Sequence, residues 1–135
     1  MVSEEQKNEL LKAACEARNN SYAPYSNYHV GAAILTEDGR IFTGVNVENA
    51  SHSLAICAER SAIFSAVTAG VRRFLAVAVC TENAGSPCGS CRQVLSEFSG
   101  DIPVWLADGK GTVRETSLHT LLPDFFGPHH LPPVD

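Results

Sequence analysis

The chain has no apolar stretch approaching the roughly 20 residues that span a bilayer; its longest strand-like run is Phe74 to Cys80. A membrane span is therefore not expected. The charged start Met1-Val2-Ser3-Glu4-Glu5 lacks the apolar centre of a signal peptide, so a soluble protein of the cytoplasm is expected. Basic residues are few and scattered, 10 Lys and Arg against 15 Asp and Glu, for a net charge of −5. That balance argues against tracking a nucleic-acid backbone and favours small or neutral ligands. The 5 cysteines are an odd number, and in a chain without an export signal disulfides are not expected. What remains is ordinary globular composition: 135 residues, 44% hydrophobic and 19% charged, with 10 Gly and 7 Pro. Disordered, collagen-like and coiled-coil classes are excluded, and one compact domain over residues 1–135 is expected.

Local patterns give the element order. Ser3-Glu4-Glu5-Gln6 reads as a capping box, and Leu10, Ala13, Ala14 and Ala17 follow at helical spacing until Asn19-Asn20-Ser21 and Pro24 end the helix. Gly31 to Thr36 and Ile41 to Val45 read as strands joined at Glu37-Asp38-Gly39-Arg40. A second helix is expected from about Leu54, through Ile56, Ile63, Phe64 and Val67 to a cap at Gly70. Phe74 to Cys80 reads as a central strand covered on both faces. Ser86 and Pro87 read as the start of a third helix running to Gly100. Ile102 to Leu106, a short strand near Val113, a brief helix around Ser117 to Leu122 and an irregular tail from about Gly127 complete the chain. The order predicts an α/β fold with helices on both faces of the sheet.

Three cysteines occupy positions that metal chemistry selects. Cys57 lies near the start of the second helix, and Cys88 and Cys91 lie three apart at the start of the third, on one face. Helix starts offer free amides and partial positive charge, which favour the thiolates that zinc needs. Three thiolates leave one tetrahedral position for water, the pattern of a catalytic site. Glu59 follows Cys57 by two and can reach that position without being a ligand, as a carrier of protons. Cys-Ala-Glu followed by Pro-Cys-x-x-Cys is a known signature of zinc-dependent deaminases, whose first ligand is His or Cys. Plainer readings stand beside it: Cys88-x-x-Cys91 alone also suits redox motifs and structural zinc, and Cys80 as a fourth ligand would close the site. Cys80 and Cys15 read better as packing residues. Three thiolates against one divalent ion leave a surplus negative charge, and Arg60 is the candidate to offset it from behind the sulfurs.

Nearly the whole chain resembles the cytidine deaminase family, especially its short homotetrameric form. The likeness runs in order through Tyr22-Ala23-Pro24-Tyr25-Ser26, Val30-Gly31-Ala32-Ala33, Asn46-Val47-Glu48-Asn49-Ala50, Cys57-Ala58-Glu59-Arg60, Pro87-Cys88-Gly89-Ser90-Cys91-Arg92-Gln93 and Leu121-Leu122-Pro123. The resemblance implies a three-layer α/β/α domain with a mixed five-stranded sheet, one zinc per subunit, and hydrolysis of cytidine and 2′-deoxycytidine to uridine or 2′-deoxyuridine and ammonia. It implies that Asn46 and Glu48, two apart on an extended segment and so on one side, clamp the ribose 3′-hydroxyl, with Asn49 in the same binding motif. A carboxylate there disfavours a 3′-phosphate, so a free pyrimidine nucleoside and no nucleic acid is the expected partner. By the same resemblance Tyr28 packs near the pyrimidine, the backbone at Ala58 orients the base, and Phe126 enters the site of a neighbouring subunit in a tetramer with shared active sites. His52 stands where many relatives carry Tyr, in a segment lining pocket and interface. The rivals are a deaminase of another nucleoside such as blasticidin S, a deaminase of bases in nucleic acid, and a non-catalytic zinc-binding protein on the same fold. Loss of the Asn-x-Glu-Asn-Ala motif is expected of the first and a basic groove of the second; neither is present.

Overall fold

The structure, a computed structural model, describes residues 1–133; the last two positions of the tail lie outside the described residues. Ser3 caps α1 (Glu4–Ala17) as the capping box predicts: its hydroxyl accepts from Gln6 N at 3.1 Å, and its own N–H donates to Gln6 Oε1 at 2.9 Å. Strands β1 (Gly31–Thr36) and β2 (Ile41–Val45) form the expected antiparallel pair. Helix α2 (Ala58–Thr68) ends where Gly70, at φ +89°, lets its N–H reach Val67 O and lets Val71 N reach Ala66 O. That double closure satisfies the last carbonyls of the helix. Then follow β3 (Phe74–Cys80), α3 (Gly89–Phe98), β4 (Pro103–Ala107), β5 (Val113–Ser117) and the one-turn α4 (Leu118–Leu121).

The sheet order is β2-β1-β3-β4-β5. Only β3 and β4, joined through α3, run parallel, as a helical crossover requires. Side chains alternate across the sheet. Ala33, Leu35, Ala76 and Ala78 face α1 with its Leu10 and Ala14; Ile34, Val77, Val79 and Leu106 face α2 and α3 with Ala62, Ile63 and Leu95. The result is three layers, and β3 is buried on both faces as its continuous apolar run predicts.

In each helical layer a helix backbone rests directly on a glycine of the sheet. A Cβ at Gly31 would stand 2.1 Å from Ala14 O of α1, and one at Gly44 would stand 2.4 Å from both Ala58 O and Ala62 N of α2. Gly44 thus sets the depth at which the first turn of α2 rests.

Three expectations are corrected. α2 begins at Ala58 rather than about Leu54, because residues His52–Leu54 form a 3-10 turn and Ile56 exchanges backbone hydrogen bonds with Val47, both 3.0 Å, keeping the chain extended up to Cys57. Phe64, expected among the apolar positions of this helix, falls on its outer face, 47% exposed. α3 begins at Gly89 rather than at Ser86-Pro87, which makes Cys88 itself the N-cap residue. Cys15 and Cys80 are not two separate packing residues but are joined as a disulfide, with Cα atoms 5.1 Å apart. Counting cysteines could not show that α1 crosses the sheet directly over the end of β3.

Candidate active site

The N-termini of α2 and α3 meet beside the end of β3, and each is capped by a cysteine rather than by a hydroxyl or amide side chain. With no side-chain cap bond at either start, the first amides of both helices remain as donors around the sulfurs. Cys57 Sγ lies 3.7 Å from Cys88 Sγ, and Cys88 Sγ 3.4 Å from Cys91 Sγ; all three sulfurs fall within 4.8 Å of one another. A tetrahedral zinc with bonds of about 2.3 Å asks for sulfurs about 3.8 Å apart, so the trio fits that ion closely. Cys80 points away, tied to Cys15 on the opposite face of the sheet. It cannot close the site as a fourth ligand.

The sulfurs hold their charge unequally. Hydrogen bonding from Cys91, then from Arg60 and Cys88, draws the Cys57 thiol down to about 5, while that same bond to Cys57 and burial push Cys91 up. The cluster holds one negative charge readily and resists a second until a cation arrives. Arg60 Nη2 donates to Cys57 Sγ at 3.3 Å, and the guanidinium is held firmly protonated by that contact. Its Nε is a buried donor with no protein partner, so the residue has more donor capacity than a neutral thiol cluster uses. Glu59, one residue earlier, is 4% exposed. Burial, reinforced by the nearby Cys57 charge, pushes its carboxyl up to about 7. At neutral pH it can both accept and return a proton.

These groups open into a cavity of about 570 Å³, within the range of small-molecule sites. Of the residues singled out in the sequence, Tyr28, Asn46, Glu48, His52, Cys57, Ala58, Glu59, Arg60 and Cys88 line it. The segment 46–48 is extended, bridged to Tyr22 on one side and Ile56 on the other. Asn46 and Glu48 therefore reach the same cavity, while Val47 is 42% exposed. Both polar side chains are also tied to the loop before β1. Asn46 Oδ1 accepts from the Ser21 hydroxyl and from Val30 N, and its Nδ2 donates to Tyr28 O at 2.7 Å. Glu48 accepts from Tyr25 N at 2.9 Å, Ser26 N at 3.1 Å and the Ser26 hydroxyl, and the last of these lowers its pKa most. Asn49 does not line this cavity; it lines a smaller adjoining one with Tyr25, Glu48 and His52, and its Oδ1 accepts from Ser51 N at 2.9 Å.

Phe126 does not line the cavity of its own chain. It is 58% exposed, its ring stacks on His130 at 5.4 Å, and its carbonyl accepts from Gln93 Nε2 at 2.6 Å. The loop that delivers Cys88 is held by residues that the motifs did not single out for this role. Arg92 Nε donates to Pro87 O at 2.7 Å, and Arg114 Nη2 of β5 to Ala84 O at 2.9 Å. Ser26, Val79, Thr81 and Gly85 also line the cavity. Ser26 falls in a quoted motif and Val79 in the central strand run, whereas no pattern in the sequence marked Thr81 or Gly85.

A family model described as the cytidine and deoxycytidylate deaminase zinc-binding region matches residues 4–106. A cytidine deaminase of Sporosarcina psychrophila is 48% identical over 125 residues, covering 90% of this chain and 92% of the relative. A cytidine deaminase of Mycobacterium tuberculosis is 45% identical over 128 residues, 93% of this chain and 92% of the relative. Among solved structures, the crystal structure of cytidine deaminase from Burkholderia pseudomallei superposes with a TM-score of 0.83 at 52% identity, covering 88% of this chain and 98% of that one.

Proposed function

The chain belongs to the cytidine and deoxycytidylate deaminase family, and on that premise we propose that it hydrolyses cytidine and 2′-deoxycytidine at C4, forming the uracil nucleoside and ammonia. The observation that carries this reading is the three-sulfur cluster at two abutting helix starts with the buried carboxyl of Glu59 beside it, open to a cavity of nucleoside size. Cys57, Cys88 and Cys91 hold one zinc per subunit. Bound there, zinc supplies the Lewis acidity that activates a water.

Glu59 takes a proton from the attacking water and delivers it to ring N3 as oxygen adds to C4. It then carries the second proton of that water to the amino group, which leaves as ammonia while the C4 carbonyl forms. Burial raises the proton affinity of the Glu59 carboxyl above that of a free glutamate, which suits a group that must both take up and give back a proton. Arg60 draws negative charge from the thiolates, keeping the ion an effective acid. Asn46 and Glu48 bind the sugar hydroxyls, Tyr28 packs against the base, the Ala58 backbone orients it, and Asn49 belongs to the same binding segment. His52, at the rim beside Tyr25, with ring centroids 5.8 Å apart, lines pocket and subunit contact. The outward exposure of Phe126 supports insertion into a neighbouring site in a homotetramer. Among the described residues no helix is long and apolar enough to cross a membrane; a place in the cytoplasm and in pyrimidine salvage is proposed on the family alone.

An ultraviolet assay on cytidine, 2′-deoxycytidine, cytosine, cytidine monophosphate and adenosine tests the assignment, alongside zinc analysis and solution mass. Turnover of the two nucleosides over the others is expected. A zinc-loaded protein that leaves both nucleosides untouched overturns it.

A further inference from the structure

Tyr28 carries a hydroxyl at its pocket position, and that hydroxyl is used. It donates to Asn83 Oδ1 at 2.7 Å, joining the loop before β1 to the loop between β3 and α3 across the cavity wall. The second loop is braced by Thr81, the residue after β3, which is 3% exposed. The Thr81 hydroxyl accepts from Gly85 N at 2.8 Å and donates to the same Asn83 Oδ1 at 3.3 Å. Ala84, at φ +55°, completes the tight turn, and its carbonyl is held by Arg114. The absence of a side chain at residue 85 makes room for the contact: a Cβ there would stand 2.6 Å from the Tyr28 hydroxyl oxygen and 3.3 Å from Asn83 Oδ1.

We propose that Asn83 and Gly85 are positioning residues that latch the Tyr28 ring onto the cavity wall, and so set how tightly the pyrimidine is held. The inference rests on the reading of Tyr28 as a wall of the nucleoside site. Asn83 supplies the acceptor, and Gly85, in the cavity wall beside it, supplies the space. The same loop runs on to Cys88, but Thr81 on Gly85 N, Arg114 on Ala84 O and Arg92 on Pro87 O hold it independently of Tyr28, so loss of the latch moves the ring while those bonds keep Cys88 in place. The expected signature is in substrate binding, with zinc affinity unaltered.

The test is a pair of double-mutant cycles on the zinc-loaded protein: Asn83→Ala and Gly85→Ala, each made with Tyr28 and with Tyr28→Phe. With Tyr28 present, each is expected to raise KM for cytidine about 3- to 10-fold, the range of one net hydrogen bond, with kcat and zinc content unchanged. In the Tyr28→Phe background each should have a clearly smaller effect, because the hydroxyl that needs the acceptor and the space is gone, while the contacts of Asn83 with Thr81 and with a new Cβ at residue 85 remain. Equal effects in both backgrounds, no effect in either, or a parallel fall in zinc content each overturns the latch. The same cycles read by thermal unfolding need no substrate. Coupling between position 28 and positions 83 and 85 is expected there too, and its absence refutes the latch. Failure of the unmodified enzyme to turn over cytidine refutes instead the reading of the site.

Discussion

Gly44→Ala is the sharpest perturbation available, because it pushes on the active site from behind without touching any group that reacts. The new Cβ would lie 2.4 Å from Ala58 O and Ala62 N, where ordinary contact begins near 3.4 Å. Both obstructing atoms are helix backbone, so no side-chain rotation relieves the overlap, and the first turn of α2 must retreat by about 1 Å. That turn follows Cys57 directly and carries Glu59, whereas Cys88 and Cys91 belong to α3 and do not retreat with it. Overpacking should cost roughly 1–3 kcal/mol of stability, and a displacement of about 1 Å between parts of a site about 10²-fold in kcat. Gly31→Ala is the matched control. Its Cβ would stand 2.1 Å from Ala14 O and 2.5 Å from Arg18 N, at least as severe an overlap, but against α1 on the opposite face. It should lose comparable stability while the folded fraction keeps its zinc affinity and turnover. Urea denaturation, competition for zinc with a chelating dye, and the cytidine assay at low temperature measure the three quantities. Full kcat and zinc affinity in Gly44→Ala, or equal loss of both in Gly31→Ala, would refute the idea that this glycine sets the sulfur geometry.

Glu59→Gln should retain zinc and lose at least about 10²-fold in kcat, the contribution of a positioned acid-base group; turnover near the wild-type rate would remove Glu59 from the mechanism. In the metal-free protein the Glu59 carboxyl rises from 4.5 to about 7 on folding, so its contribution is fully present below pH 4.5 and is lost as pH rises through 7. Relative to Glu59→Gln, chelator-treated wild type should therefore lose about 3 kcal/mol or less between those limits, read from urea midpoints across pH; a constant difference contradicts the shift. Arg60→Gln removes the donor at 3.3 Å from Cys57 Sγ and should weaken zinc binding about 10- to 100-fold by chelator competition, whereas unchanged affinity and activity leave Arg60 without this role. Glu48→Gln should raise KM for cytidine several-fold with zinc content unaltered, and equal affinity in both proteins counts against a sugar clamp.

Local chemistry, legible in the chain, decided the elements. A capping box at Ser3, a turn at Asp38-Gly39, a glycine cap at Gly70 and the apolar run Phe74–Cys80 each act within a few residues, and each appears where the pattern puts it. The candidate site was legible for the same reason: Cys57, Cys88 and Cys91, with Glu59 beside them, fall at helix starts, where spacing along the chain nearly determines direction in space. Helix boundaries were less so. The pairing of Ile56 with Val47 keeps residues 55–57 extended, and that pairing depends on a residue nine positions away.

What the tertiary structure alone decided is what lies against what. The closeness of α1 to β3, which joins Cys15 to Cys80 and removes Cys80 from the metal, comes from small residues stacked on one sheet face. The depth of α2 comes from a single hydrogen atom at Gly44. The latch from Tyr28 to Asn83 spans 55 positions of sequence, and no periodicity encodes such a contact. Sequence determined the chemistry because the reactive residues carry their identity with them. Distances between those residues arise from packing of surfaces that only the folded chain brings together.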